Sequence, residues 1–149
     1  MSNHHHLDRR DLIRNGLFLA LAGGLAPAPL LAEPRFSSDP FTLGVAAGDP
    51  APDGFVLWTR LAPEPMAPDG GLSPLDVPVR WEVAEDPAFR TIVRKGTARA
   101  DAYLAHSVHV EVDGLRPHRP HWYRFLAGGR QSPIRTAPTA PLADTDLGG

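Results

Sequence analysis

The 149-residue sequence contains no cysteine, so a disulfide framework, a thiol nucleophile and any cysteine-based zinc or iron–sulfur centre are excluded. Neither sign of charge dominates. With 15 Lys and Arg against 17 Asp and Glu, the formal net charge is -2, which gives no electrostatic footprint for nucleic acid or an anionic membrane. A long apolar run is also missing: the stretch from Leu17 to about Leu31 is broken by Gly23, Gly24, Pro27 and Pro29, too short and interrupted for a stable membrane span. No segment has a convincing helical period.

What remains is an ordinary globular composition, 42% hydrophobic and 21% charged, with room for one domain. The 14 Gly and 17 Pro are spread along the chain, which favours many short segments separated by turns.

Residues 8–32 read as an export signal. Arg9, Arg10 and Arg14 precede the broken apolar stretch, and the pair Arg9-Arg10 followed by Asp11, Leu12 and Ile13 resembles a twin-arginine leader. A general secretory signal or a buried helix are the alternatives. Cleavage is expected after Ala28 or Ala32, and removing residues 1–32 takes away three Arg and two Asp, leaving 12 basic and 15 acidic residues, a charge of about -3. His4, His5 and His6 stand ahead of the leader and are read as incidental. The expected organisation is a signal over 1–32, a linker over 33–39, a β-domain over 40–138 and a tail over 139–149.

Beyond residue 40 the period becomes that of strands. Seven are expected, over 41–47, 54–61, 77–84, 91–100, 106–114, 121–128 and 130–136, with turns at Gly48-Asp49-Pro50, Pro68 to Gly71, Glu85-Asp86-Pro87, Asp113-Gly114 and Gly128-Gly129. Val79, Trp81 and Val83 alternate with Arg80 and Glu82, and Val108, Val110 and Val112 with His109 and Glu111, so each sheet has one covered face. Pro87 to Arg90 is expected to form one tight helical turn. The pattern predicts an all-β fold, a sandwich of immunoglobulin or fibronectin type III kind. Leu115, Pro117 and the aromatic strand start suggest the corner of such folds, with His121 in the place of the usual tyrosine and hydrogen bonding through a ring nitrogen.

Catalytic constellations are thin. There is no G-x-S-x-G elbow, Ser107 and His106 point to opposite faces of a strand, and no glycine-rich loop opens a helix to cradle phosphate. His106, His109, His118 and His121 are the only plausible metal-ligating group, but strand alternation and an intervening turn separate them. Asp49 and Asp53, four apart among Pro and Gly, are better explained as turn formers between the first two strands than as an acid/base pair. Trp58 is expected in the core, and Arg60 to pair with a carboxylate or meet another domain. No catalytic, cofactor-binding or metal residue is therefore assigned.

Four segments together, "LGVAAGDPAPDGFVLWTRLAP", "VRWEVAEDPAFRTIVRKGTARA", "HSVHVEVDGLRPHRPHWYRFLAGG" and "SPIRTAP", resemble the N-terminal domain of the alkaline phosphatase D (PhoD-like) family over roughly residues 39–138. His121 departs from the family's usual Tyr, and Ala105 from a frequent Asp. The resemblance implies a non-catalytic accessory domain of an exported phosphatase that packs, with exposed aromatics such as Trp122 as contacts, against a metallophosphatase domain. That domain would hold iron and calcium and lies outside this chain, so no cofactor is expected here. The rival reading is an exported binding module acting alone. Either would work in the periplasm or outside the cell.

Overall fold

The computed structural model describes residues 33–143, so the expected signal, residues 1–32, and residues 144–149 of the expected tail lie outside the described residues. Among the described residues eight strands form, β1 (Val45–Ala51), β2 (Gly54–Arg60), β3 (Val77–Ala84), β4 (Ile92–Ala100), β5 (Ser107–Val112), β6 (Pro120–Ala127), β7 (Arg130–Gln131) and β8 (Arg135–Pro138). They build two antiparallel sheets: β1-β2-β5, and β4-β3-β6 with β7 and β8 both pairing along the far side of β6. The expected all-β two-sheet architecture is present.

Period-two alternation places the core between the sheets. Phe55, Leu57, Val108, Val110 and Val112 come from the first sheet, and Val79, Val83, Tyr123 and Phe125 from the second. Phe55 bridges them, its ring 6.1 Å from that of His121 and 6.5 Å from that of Tyr123. Burying such side chains contributes about 1.5–3 kcal/mol each.

Three expectations about the strands are corrected. The first strand runs 45–51 rather than 41–47, because residues 40–44 turn: Asp39 accepts the Phe41 N–H at 3.0 Å, the Gly44 N–H reaches the Phe41 carbonyl at 2.9 Å, and Phe41 is held in the core. The last expected strand is divided in two because Pro133 has no N–H for the ladder. Ser132 fills the gap, exchanging backbone bonds with Phe125 through its own N–H and accepting the Phe125 N–H on Oγ, both at 2.9 Å. Finally, Pro87 to Arg90 is an Asp-capped turn, and the short helical turn is a 3-10 segment at Ala102–Leu104.

Candidate functional site

Most of the residues that stood out in the sequence serve the domain's own structure. Asp49 is not in a two-strand turn. Gly48 pairs with Val56 and Ala51 with Gly54, so Asp49 and Pro50 together oppose Phe55 in a β-bulge, and Asp49 takes the left-handed conformation at φ 48°. Asp53 does sit in the turn, where its carbonyl accepts the Leu115 N–H at 2.8 Å. The two carboxylates therefore belong to different local structures.

Trp58 is half-buried on the outer face of the first sheet, opposite His109 with ring centroids 6.4 Å apart, which corrects its expected place in the core. Core contact on that strand falls to Phe55 and Leu57 instead, since inward positions alternate from Phe55. Thr59 is fully buried and its hydroxyl donates to the Gly44 carbonyl at 2.9 Å. Among the described residues Arg60 pairs with no carboxylate; its Nε donates to the Ala105 carbonyl at 3.0 Å.

The "WEVAEDPAF" block is a second local device. One oxygen of Asp86 accepts the N–H groups of Ala88 and Arg90 at 3.0 and 3.2 Å, and the other accepts that of Thr91 at 2.8 Å. These bonds, that from Thr91 foremost, hold the Asp86 carboxyl below its ordinary value. The turn carries Phe89 into the left-handed region at φ 54° and lays its ring 4.1 Å from the Arg124 guanidinium. Arg124 also donates to Glu82 from Nε and Nη2, at 2.8 and 2.7 Å, and from Nη1 to Gln131 at 2.9 Å.

The histidines are dispersed. His106 is buried and its Nε2, which must carry the proton, donates to the Leu75 carbonyl at 3.0 Å. His109 lies against Trp58, and His118 sits in a loop at φ 52°. His121 is wholly buried beside Phe55, and neither ring nitrogen has a hydrogen-bond partner among the described residues. Burial pushes its pKa down, with the Glu85 charge working in the opposite direction. The expected corner bond from His121 is therefore not made. Thr139 ties that region instead: its hydroxyl donates to the Arg116 carbonyl at 2.7 Å, and its backbone N–H to the Arg119 carbonyl at 3.1 Å. The sequence reading missed Thr139, whose only signal was a small polar residue following strand-like "RTAP".

Among the described residues no group of three or more His, Asp or Glu is placed to hold a metal ion. Among the described residues, no helix is long and apolar enough to cross a membrane.

Two clefts remain. One, of about 290 Å³, lies beside the 3-10 turn and is lined by Arg60, Leu72, Tyr103 and His106. Ala105 and His106 follow that turn in consecutive left-handed conformations, φ 54° and 58°. This strain costs about 1–2 kcal/mol per residue without a side chain suited to it. An Asp at 105, which the family resemblance leads one to expect, would tolerate that backbone better. Ala105→Gly is expected to raise the urea midpoint, by about 1 kcal/mol of stability at most; an unchanged or lower midpoint would show that no strain is held there. The other cleft, of about 340 Å³, opens between β1 and β8, with Phe55 and Tyr123 at its floor. Burial raises the Tyr123 phenol pKa there, partly offset by Arg135.

Residues 24–141 match the family described as PhoD-like phosphatase, N-terminal domain, and the chain belongs to that family. Among curated proteins it is similar to alkaline phosphatase D of Bacillus subtilis (strain 168), 50% identical over 147 residues that take in 94% of this chain and 25% of that protein. A solved structure titled "Structure of PhoD" is 55% identical, with a TM-score of 0.73, covering 76% of this chain and 22% of the other. The chain thus spans about a quarter of the length of these relatives.

Proposed function

We propose that this chain is the non-catalytic N-terminal accessory domain of an exported PhoD-like phosphatase, and that it packs against the phosphatase portion of the full-length protein. The observation that carries the reading is the use of the family segments themselves. Asp49 shapes a bulge, Thr59 and Arg60 tie strand ends to neighbouring loops, Asp86 caps a turn, and Arg124 joins Glu82, Gln131 and Phe89. Side chains committed in this way hold a scaffold and leave no convergent acid, base or nucleophile among the described residues. Function in such a domain lies in what its surface meets.

Purified mature chain is expected to hydrolyse a chromogenic phosphate ester no faster than buffer, with or without added iron and calcium. Metal-dependent turnover that survives repurification would overturn the accessory reading.

Export to the periplasm or beyond by the twin-arginine route is the second element of the proposal, and it rests on Arg9-Arg10 ahead of the broken apolar stretch. Residues 1–40 fused to a folded reporter should carry it out of the cytoplasm, and Arg9→Lys with Arg10→Lys should retain it. Export that ignores the double substitution would instead indicate a general secretory signal.

A further inference from the structure

The cleft between β1 and β8 lies where the two sheets part along one side of the domain. Among the described residues β1 pairs only with β2, and β8 only with β6, so each turns an unpaired edge toward the other. Ala47 is opposite core residue Leu57 in the ladder and so faces inward, yet it is exposed, because β8 does not close over it. From Ala46 to Ala51 the strand reads "AAGDPA", with no long side chain to fill the space. The floor is Phe55 and Tyr123, the edge of the core, and the far wall is Arg135 to Pro138.

We propose that this cleft is the docking surface for the phosphatase portion of the full-length protein, receiving an apolar side chain against Phe55 and Tyr123 and a carboxylate at Arg135 on the rim. The inference rests on the accessory reading above and adds the surface and its chemistry. Two observations select the occupant. The backbone leaving β8 passes beside the cleft, with the Ala140 N–H bonded to the Ala51 carbonyl at 2.9 Å, so chain that continues from there starts at its rim. Relatives carry about three quarters of their length outside the part matched here, and the family is an N-terminal domain, so that length follows. The cleft at Tyr103 lies at the opposite end of the strands: Arg60 and Ser107 pair there, whereas Ala51, Gly54 and Val112 mark the end near Ala140.

The bulge narrows the mode of contact. Asp49 and Pro50 interrupt the β1 ladder, and Pro138 ends β8, so neither edge offers a regular template for an added strand. Contact through inserted side chains remains. A rim cation beside an apolar floor is a common arrangement at such interfaces.

The test compares the chain alone with a chimera in which residues 33–143 replace the matching quarter of alkaline phosphatase D of Bacillus subtilis. Hydrogen exchange at the amides of 46–48 is expected to slow roughly tenfold or more in the chimera relative to the chain alone. Ala47→Arg, a substitution at an exposed position, should leave the melting temperature of the chain alone unchanged and abolish that slowing; Tyr103→Ala should do neither. Slowing confined to residues near Tyr103 and Leu104, with 46–48 unchanged, would overturn the surface assignment while leaving the accessory reading intact. No slowing anywhere in the domain would overturn both.

Discussion

Gly54→Ala is expected to abolish cooperative folding of the chain or lower its stability by at least about 3 kcal/mol, the upper end of ordinary overpacking costs. A Cβ built on Gly54 would lie 2.0 Å from the Val112 carbonyl oxygen and 3.2 Å from the Asp113 Cα. Both are backbone atoms of the neighbouring strand end, so no rotamer change can relieve the clash. β2 would have to move from β5 just where the Leu115 N–H meets the Asp53 carbonyl. Gly48→Ala is the matched control, since a Cβ there meets nothing within 4 Å. Denaturant midpoints of the two variants check the claim; equal midpoints would remove close strand approach as the reason for glycine at 54.

The second large effect centres on His121. Its ring is fully buried with both nitrogens unpartnered, and an unsatisfied buried polar group costs about 1–3 kcal/mol. His121→Phe keeps an aromatic ring against Phe55 and removes those atoms, so the melting temperature at neutral pH is expected to rise by several degrees. A tyrosine at the same position separates two contributions: if His121→Tyr exceeds the phenylalanine variant, its hydroxyl has found the corner bond that histidine does not make. A large loss in both would show that the pocket is shaped to the imidazole.

The same residue sets a pH dependence. Burial lowers the folded-state pKa of His121 below the ordinary histidine value of about 6.5. The unfolded chain therefore binds more protons than the folded one as acidity rises. Stability from the neutral ring is complete above about pH 6.5 and is lost as pH falls through the lower folded value. Glu85 opposes the shift, and Arg119 acts both ways: its backbone favours the charged ring without reaching hydrogen-bond geometry, while its own charge disfavours it. Melting temperatures measured from pH 7.5 down to 5 should fall in the native chain and fall less in His121→Phe. Parallel curves would assign the acid sensitivity to other groups.

Much of the fold was legible because period two is a local property. The segments at 54–61, 77–84 and 121–128 lie within a residue or so of β2, β3 and β6, since alternation of Val and aromatic residues with Arg and Glu needs no knowledge of the partner strand. The errors cluster where local chemistry is ambiguous. Gly-Asp-Pro suits a turn and a bulge equally, and only pairing with Phe55 distinguishes them. The sequence places Trp58 in the core, but its face follows from the register of Phe55 and Leu57 against β5. His121 occupies the corner position that the sequence suggests, but whether it finds a bond there depends on tertiary neighbours, and Thr139 supplies the tie from 18 residues away in sequence.

The sequence by itself determined the all-β class, the family and the absence of any cysteine chemistry, because composition, period and segment order are properties of the chain read in one dimension. Only the tertiary structure decided the duties of individual residues. Whether Asp49 bends a strand, Asp86 gathers three N–H groups, or Ala47 is left uncovered beside Phe55 depends on which backbone lies a few ångströms away, and residues distant in sequence supply that backbone.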